Sequence, residues 1–274
     1  MLEYNQGKSA DKAERSRVMV IRTQYLERLR PFYDSELVKV ITGIRRCGKS
    51  TILRQVIAEI KENGIEDSHI IYINFEDYKY HKLTDADAFY EYVEQKIVDE
   101  GKYYLFFDEI QNVNNFELVV NSFRATHNVS IFITGSNSKL LSGELATHLS
   151  GRTVSLRVLP FNFMEFCQYK DISAPDYETL LAEYMTYGGL PLVCGAANKE
   201  TKEVILNNIY DAVVLKDIVM RNKINSPLVL EKVLDYIVGN SSLTVSGNAI
   251  ASTLSSNGHK VSAPVVYDYL RCIV

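Results

Sequence analysis

Residues 43–50 read Gly43-Ile44-Arg45-Arg46-Cys47-Gly48-Lys49-Ser50 and fit the pattern G-x-x-x-x-G-K-[ST] without a mismatch. Four constrained positions make a chance match improbable, about one in a hundred for a chain this long. The chemistry of such a loop is phosphate binding. Its glycines let successive backbone N–H groups turn inward toward phosphate oxygens. The helix behind it adds the positive end of its dipole. Lys49 is placed to reach the β- and γ-phosphates, and the Ser50 hydroxyl to hold Mg²⁺. Residues 43–51, closing with Thr51, are the expected nucleotide-binding segment.

A second constellation is Tyr103-Tyr-Leu-Phe-Phe-Asp108-Glu109. A hydrophobic run ending in an acid puts that acid at the carboxyl edge of a sheet, where ligands bind. Asp108 can then hold Mg²⁺ through water, opposite Ser50. Glu109 suits a base that polarises an attacking water. The adjacent pair favours hydrolysis over transfer to a metabolite. A third apolar run ends in Thr134-Gly135-Ser136-Asn137. A polar side chain there could lie beside the γ-phosphate, with Ser136 the first choice and Asn137 the second. The same residues also make an ordinary turn.

Arg152 follows Leu149-Ser150-Gly151. It reads either as an arginine finger, stabilising charge that grows on the γ-phosphate, or as a surface arginine. Glu76 and Asp77 close another apolar run and read as a plain strand end or as acids near the metal. Arg45 and Arg46 are expected to be structural or partner-facing. Arg22 and Tyr25, just before the first strand, are guesses for the adenine pocket. Cys47 lies beside Lys49 and near a helix N-terminus, and both favour the thiolate. The alternative is a small residue tolerated in a tight turn. Alkylation of Cys47 is expected to block nucleotide binding.

The surrounding pattern supplies the elements that must position these groups. Leu37, Val38, Val40 and Ile41 form a buried-strand run ending at the loop. Ile52, Leu53, Val56, Ile57 and Ile60 then mark one helix face. The alternation continues with strand 69–75, helix 84–99, strand 103–107, helix 115–126, strand 129–134, a short helix at 138–149 and strand 153–158. Strands alternating with helices imply a parallel sheet with right-handed crossovers. Residues 161–239 read as helical, broken at Pro175, Gly188-Gly189 with Pro191, and Pro227. Residues 244–254 and 262–270 read as a helix-turn-helix about Asn257-Gly258.

Composition narrows the function classes. The chain has 274 residues, is 46% hydrophobic and carries a net charge of −4. That is enough for one large domain and a smaller one, and it does not advertise nucleic acid. No apolar stretch approaches a membrane span. Four cysteines without a C-x-x-C pair suggest neither a disulfide framework nor zinc, which suits a reduced cytoplasm.

Taken together, Val40–Thr51, Tyr72-Ile-Asn-Phe-Glu-Asp77, Phe107-Asp-Glu-Ile-Gln111, Ile133-Thr-Gly-Ser-Asn137 and Gly151-Arg152 resemble the prokaryotic predicted ATPases of the AAA+ superfamily. Leu159-Pro-Phe161, Glu165-Phe166 and Tyr187-Gly-Gly-Leu-Pro191 resemble the stretch after that ATPase core. The resemblance covers roughly residues 19–270. It implies a P-loop α/β core of the additional-strand, catalytic-glutamate class, ATP with Mg²⁺, and arginine fingers acting between subunits or domains. By position, Lys49, Ser50, Asp108, Glu109, Ser136 and Arg152 match that family's nucleotide site. Arg221 is the candidate sensor arginine. Members often run on past a winged-helix segment, so the chain is expected to be a piece of a longer protein.

The expected fold is α/β: a parallel five-stranded P-loop sheet flanked by helices, then a helical lid and a winged-helix-like helix-turn-helix. The expected organisation is a disordered extension at 1–18, the ATPase core at 19–160, the lid at 161–239 and the winged-helix-like module at 240–274. The expected function is Mg²⁺-dependent ATP hydrolysis driving a switch or assembly, with ATP/ADP as ligands. A homo-oligomer with an arginine finger in trans is the expected partner, and no membrane is involved. Two alternatives stay open. One is a DNA-binding regulator whose ATP site sets conformation; its basic residues His259, Lys260 and Arg271 are offset by Asp268, Glu231 and Asp235. The other is a nucleotide or small-molecule kinase, for which no arginine-dense lid segment is seen.

Overall fold

Five apolar runs become the strands of one parallel sheet: β1 (Val38–Thr42), β2 (Ile70–Asn74), β3 (Tyr103–Asp108), β4 (Val129–Gly135) and β5 (Thr153–Arg157). Their order is β2-β3-β4-β1-β5, all pairs parallel. The computed structural model describes residues 19–135, 149, 151–172, 175–220, 222 and 224–273. Strand β4 is inserted between the loop-bearing β1 and the acid-bearing β3. Its register sets Thr134 opposite Ile41, while Ile133 lies opposite Phe107. The inserted strand therefore ends between the two constellations.

Both faces of the sheet are covered, so its central strands are apolar on both sides. One face of β3, Tyr103, Leu105 and Phe107, packs with Phe89 and Phe123. These two come from α3 (Ala86–Glu94) and α4 (Phe116–Thr126). The alternate residues Tyr104 and Phe106 face α1 (Thr23–Leu29) and α2 (Lys49–Glu62), and Phe106 stacks on Phe132 at 4.7 Å. Helix α2 buries Ile52, Leu53, Val56 and Ile60, the stripe its spacing predicts. Helix α3 is shorter than the predicted 84–99. Asp85 caps its start through Asp87 N–H and Ala88 N–H, and the residues before it form 3₁₀ turns over Tyr78–Thr84.

Lys39 is the polar exception on β1. It is fully buried, donates to Ser130 Oγ at 2.7 Å and to the Ser35 carbonyl at 3.2 Å, and sits 4.5 Å from the Phe132 ring centroid. Burial, with Lys102 adding repulsion, pushes its pKa down to about 7.

Three further helices complete the first unit, which ends at Gly195: α5 (Phe163–Lys170), α6 (Tyr177–Tyr187) and α7 (Pro191–Cys194). Asn162 and Glu165 form a reciprocal capping box at the start of α5, both bonds at 2.9 Å. The predicted short helix at 138–149 lies, but for residue 149, outside the described residues.

The second unit begins at Ala196. The stretch expected as one lid, 161–239, is thus shared between the two units. The second unit holds α8 (Lys199–Asp211), a π-helical continuation over Ala212–Met220, α9 (Pro227–Gly239), α10 (Gly247–Ser256) and α11 (Ala263–Ile273). Leu230, Val233, Ile250, Leu254 and Val266 form its core. Helices α10 and α11 make the helix-turn-helix, with Gly258 at φ +88° in the turn. Among the described residues, the strands all belong to the first unit. No described helix is long and apolar enough to cross a membrane.

Candidate active site

The phosphate loop leaves β1 at Gly43, whose φ is +152°. A Cβ there would stand 2.4 Å from the Val158 carbonyl oxygen, so only glycine fits against the segment after β5. Arg46 (φ +64°) and Gly48 (φ +106°) then bend the chain through left-handed backbone, and α2 starts at Lys49. For Arg46 that conformation costs about 1 kcal/mol. Cys47 points the other way, into the core under the loop, and is fully buried. Burial pushes its thiol pKa up, and the opposing pull of Lys49 and Arg22 is smaller. The sequence argument for a thiolate at Cys47 is therefore overturned. Position near cations counts for less than the loss of water.

Lys49 is 4% exposed and reaches three oxygens. Its Nζ lies 3.2 Å from Glu109 Oε1, 3.3 Å from the Gly43 carbonyl and 3.5 Å from the Ile44 carbonyl. Asp108, at the end of β3, is fully buried. Its Oδ2 accepts from the Tyr72 hydroxyl at 2.9 Å and its Oδ1 from Thr134 Oγ1 at 2.5 Å. Burial first, and then the Asp108 carboxylate, push the Tyr72 phenol up, so Tyr72 remains a donor. Glu109 leaves the strand with φ +54°. Three contacts hold it there: its N–H donates to Thr134 Oγ1 at 2.9 Å, Gln111 Nε2 donates to Oε2 at 2.5 Å, and Lys49 takes Oε1. Lys49, Asp108, Glu109 and Thr134 thus form one linked group at the carboxyl ends of β1, β3 and β4.

Other candidates lie elsewhere. Arg152 directly precedes β5, and Thr153 pairs with Val38 at the start of β1. It is exposed, at the amino end of the strands, about 15 Å along the sheet from the loop by strand rise. There its Nη1 donates to Asn121 Oδ1 at 3.3 Å. It is not part of this chain's own phosphate site. Glu76 stands 3.8 Å from Arg45, and Asp77 caps the following turn through Lys79 N–H, as a plain strand end would. Arg22 and Tyr25 are not an adenine pocket. The guanidinium is buried against Glu165 and two carbonyls, and the Tyr25 hydroxyl accepts from Leu159 N–H at 3.1 Å. Ser136, Asn137 and Arg221 lie outside the described residues.

Sequence reasoning missed Thr134, Tyr72 and Gln111. All three stand in quoted motifs. Period-2 alternation from Phe132, on the α2 face, carried the signal that Thr134 shares the loop's side of the sheet.

Ser50 and Asp108 are the donors a divalent cation would use. Each Asp108 oxygen accepts one hydrogen bond, and a carboxylate oxygen has a second lone pair for a metal-bound water. Among the described residues no cluster of three His, Cys, Asp or Glu could hold a metal alone. A cation here would complete its shell with phosphate oxygens and water, as Mg²⁺ does, so the donor set fits it.

Residues 35–167 match the family model of an AAA domain, and residues 178–273 match a domain of unknown function, DUF8612. A protein of Haemophilus influenzae is 38% identical over 258 residues, covering 93% of this chain and 64% of its own length. One of Methanocaldococcus jannaschii is 33% identical over 243 residues, covering 85% and 54%. The chain therefore spans less than two thirds of either relative. Among solved structures, the ADP form of Aeropyrum pernix ORC2 aligns over 98% of this chain and 87% of its own, at 11% identity and a TM-score of 0.49. Aeropyrum pernix ORC1 in complex with DNA aligns over 90% and 81%, at 16% identity and a TM-score of 0.46.

Proposed function

We propose that this chain, an AAA-type P-loop protein with a domain of unknown function behind its AAA domain, binds ATP with Mg²⁺ and hydrolyses it as a nucleotide-driven switch. The observation that carries the reading is the direct pairing of Lys49 with Glu109 beside buried Asp108. A loop lysine, a metal-holding acid and a base in one linked group are the parts that water attack on a γ-phosphate requires.

The amides of residues 43–50 and Lys49 grip the phosphates. Ser50 and Asp108 would hold Mg²⁺, which would supply charge neutralisation for the phosphates. Phosphate oxygens compete with Glu109 for Lys49, and that exchange frees Glu109 Oε1. Gln111 keeps Oε2 occupied, so Oε1 is the atom that accepts a hydrogen bond from the attacking water and takes its proton. Thr134 holds Asp108 and the Glu109 backbone in register throughout. If Arg152 is a finger rather than a surface arginine, its place at the far end of the sheet assigns it to a neighbouring molecule's site, in a homo-oligomer with the finger in trans. Four free cysteines suit a reduced, cytoplasmic setting. The DNA-regulator alternative gains little from the helix-turn-helix, because exposed Arg271 on α11 has its charge offset by Asp268, 3.3 Å away.

Glu109→Gln tests the reading. ATP binding should persist within about threefold, while turnover should fall by about 10²–10³. Hydrolysis at the wild-type rate would remove Glu109 from the mechanism.

A further inference from the structure

Arg22 does more than its place ahead of the first strand suggested. It is 1% exposed and joins four parts of the first unit. Its Nε donates to Glu165 Oε1 at 2.7 Å, Nη1 to the Cys47 carbonyl at 3.3 Å and Nη2 to the Leu159 carbonyl at 3.0 Å. The guanidinium also lies 4.5 Å from the Tyr25 ring centroid and 5.2 Å from that of Phe161. Its backbone is fixed in turn. Arg22 N–H donates to Gln55 Oε1 at 3.1 Å, and Gln55 Nε2 donates to the Val20 carbonyl at 2.7 Å. Glu165 is itself locked by the capping box of α5. Glu165 and Gln55 are thus each held by a second contact.

The contact with Cys47 falls inside the phosphate loop. A trans peptide is planar, so the Cys47 carbonyl and the Gly48 N–H point in opposite directions. Holding that carbonyl against Arg22 aims the Gly48 N–H away from the core. Gly48 also lies against the guanidinium, since a Cβ there would meet Arg22 Nη1 at 3.6 Å, an ordinary contact distance. Without the clamp a glycine at φ +106° can rotate its peptide at small cost.

We infer that Arg22 is a positioning residue for the phosphate loop: it locks the Cys47–Gly48 peptide so that the Gly48 amide faces the bound phosphates. The inference rests on the phosphate-binding reading above. Its ligand class is any nucleoside di- or triphosphate, because the cradle acts before the γ-phosphate is engaged. A lysine at position 22 cannot reproduce it. One ammonium on a flexible stem does not span a carboxylate and two carbonyls in a plane.

The test measures ADP and ATP affinity by calorimetry for the wild-type chain, Arg22→Lys and Val93→Ala. Val93 is a buried α3 residue in the cluster on the other face of the sheet, and serves as the control for general destabilisation. Arg22→Lys should weaken ADP and ATP alike by about tenfold, with kcat at saturation within about threefold of wild type. Its Gly48 amide resonance should shift in the nucleotide-free protein. Val93→Ala should lower Tm yet keep both affinities within about twofold. A folded Arg22→Lys chain with wild-type affinities would overturn the inference, as would equal weakening in Val93→Ala. If Arg22→Lys does not fold, Glu165→Gln carries the test, with about threefold weaker binding expected and unchanged binding overturning it. Failure of the wild-type chain to bind either nucleotide would overturn the phosphate-binding reading itself, and this inference with it.

Discussion

Apart from buried Lys39, the two ends of the sheet treat charge in opposite ways. At the carboxyl ends Lys49 and Asp108 are buried, Glu109 is partly buried, and the three are bonded to one another or to shared partners. At the amino ends Arg152 is exposed, touching Asn121 on α4, and Lys102 pairs with the exposed Asp34 at 3.8 Å. Charges in the first group act on each other at low effective dielectric and are preorganised. Those in the second are screened and free to meet another molecule. In the proposed reading, a single chain carries a nearly complete hydrolytic group at one end and an exposed cation at the other. In the trans-finger reading, the second end of one copy serves the first end of the next.

The largest expected effect falls on the buried end. Lys49→Ala should reduce turnover by about 10³ and weaken ATP binding together, since Lys49 bears on both phosphates and Glu109. Turnover and affinity that survive this change would dissolve the distinction between the two ends. Arg152→Ala should lower turnover by about 10² while leaving nucleotide affinity unchanged. Mixing Lys49→Ala with Arg152→Ala chains should then restore part of the rate, because each supplies what the other lacks. A mixture no faster than its components would rule out donation in trans.

The smallest effect concerns Lys39, the buried cation toward the amino ends. Unfolded, a lysine keeps its proton to about pH 10.4, whereas folded Lys39 releases it near 7. Between those values the unfolded chain binds more protons, so stability rises with pH. Urea unfolding should show the wild type gaining on the order of 1–2 kcal/mol from pH 7 to pH 9, and Lys39→Met losing that increment. Identical pH profiles would place the charge of Lys39 in contact with water.

Much of this was legible in the chain. The run 37–42, the loop and the stripe Ile52–Ile60 each needed only local periodicity and turn chemistry, and the strands appear within about a residue of their predicted bounds. Asp108 and Glu109 could be paired with the loop because a strand end fixes the edge at which an acid emerges. The rest depended on distance in sequence. Thr134 was passed over for Ser136 because its bond to Asp108 requires β4 to lie beside β3, and strand order is not written in any one strand. The thiolate argument at Cys47 failed because neighbours along the chain are visible in sequence and depth in the core is not. Arg22 was misplaced for the same reason, since its partners Glu165 and Leu159 are 143 and 137 residues away.

Sequence alone determined which residues are the candidates for holding phosphate and activating water, because backbone conformation in a tight loop and alternation in a strand are short-range properties. Tertiary structure decided which of them meet. The insertion of β4 joined Thr134 to both acids, the parallel register sent Arg152 to the opposite end, and burial gave Arg22 its hold on the loop. Those outcomes follow from packing and the loss of water, and neither is encoded within any single segment.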